Sequence, residues 1–242
     1  MSNDEMSMPV LRRYGAAQSI LGRNILYFHF QIQRLHAYWI AGGTALLKRT
    51  VDITFSTLLL ILCSPVFLLI GILVKLEDRG SVFFAQRRVG QFGREFKMYK
   101  IRSMCLDAEQ RLKEVLANNH HKDGVTFKIK NDPRITRVGR WLRKLSLDEL
   151  PQLFNVLIGD MSLVGPRPPV PGEVSKYSMA DRRRLAVKPG ITCIWQISGR
   201  AEIDFSGQVQ LDVNYIENVS FWTDMKILAR TVPAVLSGKG AY

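Results

Sequence analysis

The stretch Ile53–Val74 reads ITFSTLLLILCSPVFLLIGILV, 22 residues without a charged side chain. A helix of about 20 apolar residues reaches across a bilayer, so length alone predicts a membrane span. Ser64-Pro65 near the centre argues otherwise. Proline lacks a backbone donor and clashes with the preceding turn, and the Ser64 hydroxyl can satisfy a carbonyl that the break sets free. Lys48 and Arg49 precede the run, and Lys75 and Arg79 follow it. Cationic flanks stay on the cytoplasmic side, so two of them favour a helix–break–helix that enters and leaves by one face. A kinked single span is the alternative. Asp52 lies three residues after Arg49 and is expected to pair with it on one helix face.

Around this run the chain is cationic. It has 242 residues, with 34 Lys and Arg against 21 Asp and Glu, a formal charge of +13. With 47% hydrophobic residues it is no disordered segment. The excess charge predicts an anionic partner: a nucleic acid, a membrane surface or a phosphorylated substrate. Cys63, Cys105 and Cys193 are scattered and suggest neither a disulfide framework nor a zinc site, as expected in a reducing cytoplasm. Residues 1–24 are polar, so no signal peptide is expected.

The expected organisation is an N-terminal extension over 1–46, a membrane helix–break–helix over 47–76 and a catalytic domain over 77–242. In the extension, aromatic and basic residues over 25–40 suit an interfacial helix or, equally, packing on a core. Beyond the membrane segment, residues 81–86 and 95–101 read as two strands around Gly90 and Gly93. Helices are predicted over 107–119, 137–144, 147–158, 173–186, 205–218 and 221–236. Residues 159–172 carry four of the ten prolines and read as an ordered loop. In the last helix Phe221, Trp222, Met225, Leu228, Val232 and Val235 gather near one face, which suits either a membrane surface or the protein core.

The segment Ser146-Leu147-Asp148-Glu149-Leu150-Pro151 holds two adjacent carboxylates. Ser146 and Glu149 have capping-box spacing, which explains them without chemistry. A helix that begins near Pro151 would instead leave Asp148 and Glu149 outside its positive end. Either version keeps Asp148 ionised, as a nucleophile or a Mg²⁺ ligand requires. Cations surround this pair in the sequence: Arg87 and Arg88; Lys97, Lys100 and Arg102; Arg134, Arg137 and Arg140; Arg167 between prolines; Lys188 and Arg200. A fork-shaped Arg in a Pro/Gly turn suits phosphate. No P-loop or dinucleotide fingerprint occurs, and the four histidines lie outside these clusters.

These blocks resemble the bacterial sugar transferases, the monotopic phosphoglycosyl transferases. The matching segments are Lys48-Arg49-Thr50-Val51-Asp52, Ser64-Pro65, Gln86-Arg87-Arg88-Val89-Gly90, Tyr99-Lys100-Ile101-Arg102-Ser103-Met104, Ser146–Gln152, Gly159–Pro168 and Lys188–Thr192. Ile101 departs from the pattern, where an aromatic is common. The resemblance implies an α-rich α+β fold: a re-entrant helix and a compact cytoplasmic catalytic domain with a short β-hairpin and interfacial amphipathic helices. It implies transfer of a hexose-1-phosphate, galactose or glucose, from a UDP-sugar to polyprenol phosphate, with release of UMP, in exopolysaccharide synthesis at the cytoplasmic face of the bacterial inner membrane. Asp148 would be the nucleophile and Mg²⁺ ligand, and Glu149 its assistant. Arg167 would hold phosphate, with Lys100 and Arg102 near the diphosphate and Arg88, Arg134 and Arg200 as further contacts. Lys48, Arg49, Asp52, Ser64 and Pro65 would shape the membrane element. No nucleic-acid partner is expected; a homo-oligomer is compatible. Alternatives from other classes are an inactive membrane scaffold of a polysaccharide synthesis complex and a membrane-tethered nucleic-acid binder.

Overall fold

The computed structural model describes residues 45–108, 110–111, 132–199 and 203–237, with Phe28 and Gly43. The chain divides into two compact units, Met1–Lys48 and Arg49–Tyr242, and the second holds the sheets and the core. The expected interfacial helix over 25–40, apart from Phe28, lies outside the described residues. So do the four histidines and nearly all of the helix expected over 107–119, of which Asp107 and Ala108 lie in a turn.

Helix α1 (Ala45–Leu62) and helix α2 (Ser64–Asp78) meet at a bend of 56°. Neither is long and apolar enough by itself to cross a membrane. The break falls where the sequence places it. Pro65 occupies the first turn of α2, where its missing donor does no harm, and the Ser64 hydroxyl donates to the Ile61 carbonyl at 2.8 Å. Leu58, Ile61, Leu62, Leu68, Leu69 and Leu76 are exposed, far more aliphatic surface than a watery exterior favours.

Both ends of this pair are tied to the rest of the fold. Arg49 donates to the carbonyls of Val156 and Leu157 at 2.6 and 2.7 Å. Asp52, buried, accepts from the Ser162 hydroxyl at 3.1 Å and the Leu163 N–H at 2.9 Å. The expected Arg49–Asp52 pair is therefore not formed, because the facing elements take both side chains: two carbonyls hold Arg49, and a hydroxyl and an N–H hold Asp52. At the far end Asp78 pairs with Arg102. Glu77 accepts from the Arg137 N–H at 2.7 Å, capping the next helix with a carboxylate.

Strands β1 (Phe83–Val89) and β2 (Glu95–Ile101) form an antiparallel hairpin, with Phe83 opposite Ile101 and Val89 opposite Glu95. β2 falls where expected. β1 runs three residues further than its apolar pattern predicts, because pairing with β2 carries Arg87 and Arg88 into the strand. Helix α3 (Arg137–Lys144) has the expected bounds and is capped by Thr136. The helix expected over 147–158 is divided: a 3₁₀ turn spans Leu147–Glu149, and helix α4 (Gln152–Ile158) starts after Pro151.

The proline-rich segment is not the plain loop expected. It contains strand β3 (Ser162–Val164), which pairs in parallel with β4 (Gly190–Thr192), and then the short helix α5 (Pro171–Val174). The helix expected over 173–186 is also absent as one element. Only α5 and a 3₁₀ turn at Asp181–Leu185 occur there. Helices α6 (Ile194–Ser198), α7 (Phe205–Glu217) and α8 (Phe221–Ser237) complete the described chain.

The fold is thus helix-rich with two small sheets. Its main core joins Met98 of β2, Leu153 and Val156 of α4, Met161, Leu163 and Val164 around β3, Tyr215 of α7 and Ile227 of α8. A second cluster sets Ile70 and Val74 of α2 against Ile101 and Leu142. β3 and β4 approach so closely at Gly165 and Gly190 that a Cβ on Gly190 would stand 2.1 Å from the Gly165 nitrogen. α8 docks on the core through Asp224 and Ile227, while Trp222, Val232 and Leu236 stay exposed.

Candidate active site

Asn155 sets the position of the site. It is fully buried on α4. Its side chain accepts from the Tyr99 N–H at 3.0 Å and donates to the Lys97 carbonyl at 2.7 Å, so α4 is fastened to β2. The turn before α4 therefore sits over Lys100. No pattern in the sequence singles Asn155 out, because one polar residue on an apolar helix looks like a solvated position.

The capping box does not form. Ser146 is held in the left-handed region at φ 54° and makes no side-chain cap. The Glu149 carboxylate instead turns to Lys100, with Nζ to Oε1 at 2.9 Å. Asp148 is left nearly buried, at 6% exposure, and no other residue among those described donates to its carboxylate.

The two carboxyl groups respond oppositely. Burial pushes the Asp148 pKa upward and Glu149 adds to that, against the pull of Lys100 and Arg143. α4 begins just after Pro151, so both carboxylates lie outside its N-terminus, as the second of the two expected versions has it, and it is burial rather than the helix end that sets the direction of the Asp148 shift. Burial also opposes the Glu149 charge, but Lys100, with Arg167 and Arg88 behind it, outweighs burial and holds its pKa below the ordinary range.

Both carboxylates open on a cavity of about 620 Å³. Lys100, Arg134, Arg143 and Arg167 also line it. Arg167 has no hydrogen-bond partner among the described residues. Its loop is pinned: the Pro168 carbonyl accepts from Arg88 at 2.9 Å, and the Pro166 carbonyl accepts from the Gly190 N–H at 2.9 Å. Arg88 is buried, and among the described residues it is bonded only to neutral acceptors, Gln86 Oε1 and Pro168 O. Burial and the adjacent Arg167 lower its pKa to about 10. It stands in a small recess with Lys100, Glu149 and Arg167.

The other predicted residues divide. Arg134 lines the cavity but is engaged by Asp132 at 2.6 Å. The structure does not bring Arg102 to the cavity. It follows the last residue of β2, turns to Asp78, and packs so tightly on Gly80 that a Cβ there would meet its Nη1 at 2.0 Å. Arg200 lies outside the described residues. Lys48, Arg49, Asp52, Ser64 and Pro65 all belong to α1 or α2, and none of them lines the cavity. The sequence alone did not mark Arg143, Tyr177, Arg184 or Gln196, which also line it. Arg143 sits three residues before Ser146, a spacing that could have flagged it. Arg184 is buried against Asp212 and donates to the Tyr177 hydroxyl at 3.2 Å. Nothing local reveals that pairing.

Among the described residues no three His, Cys, Asp or Glu side chains converge on one point. Asp148 and Glu149 can still offer what Mg²⁺ takes, one or two carboxylates completed by substrate phosphates and water. An Asp148 carboxylate buried without a donor from another residue fits such an ion. The site can thus present a carboxylate to phosphorus while Lys100, Arg143 and Arg167 stabilise phosphate charge.

Residues 43–238 match the family model described as bacterial sugar transferase. The chain is 50% identical over 195 residues to the galactosyl transferase CpsE of Streptococcus agalactiae, which covers 80% of this chain and 43% of that protein. It is 48% identical over 202 residues to the undecaprenyl-phosphate galactose phosphotransferase of Salmonella typhimurium, covering 81% and 42%. It is 45% identical over 204 residues to the exopolysaccharide production protein ExoY of Rhizobium meliloti, covering 83% and 89%. The chain spans less than half the length of the first two and most of the third. On this match, and with the carboxylate pair and its cations in one cavity, the chain belongs to the bacterial sugar transferase family.

Proposed function

We propose that the protein transfers a hexose-1-phosphate, galactose or glucose, from a UDP-sugar to polyprenol phosphate in exopolysaccharide synthesis. The observation that carries this reading is Asp148: a buried carboxylate to which no other described residue donates, facing a cavity whose cations include Lys100, Arg143 and Arg167. An Asp148 oxygen attacks the phosphorus that bears the sugar. The bond from that phosphorus to the oxygen of UMP breaks, and UMP leaves with the electron pair. A phosphate oxygen of the lipid then attacks the same phosphorus and frees Asp148, leaving the sugar joined to the lipid through a diphosphate. Lys100 and Glu149 fix the turn, and Arg167 and Arg143 hold phosphate oxygens. Bound at Asp148 and Glu149, Mg²⁺ would neutralise charge on the diphosphate.

A re-entrant membrane element completes the proposal, with the catalytic unit at the cytoplasmic face of the inner membrane. The ties at both ends of α1–α2 support it. Arg49 and Asp52 hold one end to α4 and β3, and Glu77 and Asp78 hold the other to α3 and Arg102. Ends fixed to one body favour return to the face of entry.

Purified protein with Mg²⁺, polyprenol phosphate and a panel of UDP-sugars tests the activity. UMP release that needs the lipid and is lost in Asp148→Asn is expected; retained turnover in that variant would remove Asp148 as nucleophile. Single cysteines in place of Lys48 and Lys75 test the topology, and labelling of either from the periplasm would exclude the re-entrant form.

A further inference from the structure

Part of the lining of the cavity that holds Asp148 is aliphatic: Leu59 of α1, and Leu228, Val232, Val235 and Leu236 of α8. The cations of α8, Lys226 and Arg230, are exposed and do not line it. Aliphatic walls suit neither a sugar nor a diphosphate, whose polar groups would lose water and gain no partner there. They suit hydrocarbon. Leu58, Ile61 and Leu62, near Leu59 on α1, are exposed aliphatics, so the aliphatic lining on α1 adjoins the surface most suited to lipid.

α8 is anchored for this task. The Thr231 hydroxyl lies 2.8 Å from that of Thr192 on β4, and the Tyr215 hydroxyl donates to Asp224 at 2.8 Å. Past Thr231 the helix contains Pro233, which removes the donor for the Ala229 carbonyl. Val235 and Leu236 therefore sit on a turn held less firmly than the rest.

We infer that this aliphatic part of the cavity is the channel for the acceptor's isoprenoid chain, running between Leu59 and the last two turns of α8 with its phosphate end toward Asp148. The inference rests on the reading that the acceptor is polyprenol phosphate. It assigns the end of α8 a specificity role: reading chain length.

The test uses the full chain in nanodiscs and a polyprenyl phosphate carrying a diazirine on its first isoprene units. Crosslinks on Leu59 and on residues 228–236, competed by unmodified polyprenyl phosphate, are expected. Crosslinks confined to α2 would overturn the channel. In kinetics, Val235→Trp and Leu236→Trp should raise KM for a long-chain acceptor about tenfold more than for a short prenyl phosphate. Leu236 is 73% exposed, so that variant folds. Equal changes for both acceptors would also overturn the channel. The two readings fail separately. Labelling at these residues without UMP release would remove the activity and keep the channel, and transfer with labelling elsewhere would do the reverse.

Discussion

Asp148 and Asp212 are both almost sealed from solvent, at 6% and 1% exposure, yet the fold treats them differently. Asp212 on α7 faces Arg184, which also packs on the Tyr177 and Phe205 rings. Asp148 lies on a 3₁₀ turn where Lys100, which favours its charge, is paired with Glu149. Burial raises both carboxyl groups, Asp212 to about 6 in spite of Arg184. What separates them is the hydrogen bond from a partner side chain. A buried carboxylate that holds structure is given a donor, and one left without such a donor marks a place where the partner comes from outside.

Four substitutions test this contrast, in order of declining effect. Asp148→Asn should reduce sugar-phosphate transfer at least about a thousandfold. It should also leave the melting temperature at neutral pH unchanged or higher, since an uncharged group replaces a carboxylate that burial disfavours. A fall in melting temperature would show that Asp148 has a structural partner after all. Asp212→Ala should do the opposite: about 3 kcal/mol or more of stability lost in denaturant titrations, because Arg184 is left buried and unpaired. Transfer should then track the folded fraction. Lys100→Met should lower kcat/KM about tenfold to a hundredfold and move its acid limb to higher pH. The sign follows from the chemistry. Under the proposed mechanism Asp148 attacks in its ionised form, and its pKa is already raised, so activity falls as pH drops through a value above the ordinary one for Asp. Lys100 favours the ionised form, and its removal raises that value further. An unmoved acid limb would place the titration elsewhere. Asp52→Asn should cost only about 1 kcal/mol, because an amide oxygen can still accept from Ser162 and Leu163.

The features visible in the sequence were those written into neighbouring residues. The Ser64-Pro65 break, the hairpin around Gly90 and Gly93 and the bounds of α3 each rest on short-range chemistry. So does the carboxylate pair ahead of Pro151. The hidden features need partners distant in the chain. β3 is three residues long and exists because Gly190–Thr192 lies beside it, and the four prolines that follow it make the whole segment read as a loop. Arg102 has the sequence neighbours of a ligand-binding cation, yet Asp78 claims it from α2. Arg184 and Asp212 look like two surface charges until α7 folds over the Asp181–Leu185 turn. Asn155, which seats α4 on β2, has no local signal at all.

The meeting of Gly165 and Gly190 has a consequence for how this site can change. A side chain at Gly165 would stand 2.5 Å from the Lys188 carbonyl, and one at Gly190 would stand 2.1 Å from the Gly165 nitrogen. Each position forbids a methyl group because of the other strand's backbone, so shrinking one cannot make room for enlarging its partner. The Arg167 loop and the strand bearing Ile191 are thereby riveted into one rigid plate. Any change in how this part of the cavity wall is shaped must come from residues mounted on that plate, not from a shift in how its two halves are joined.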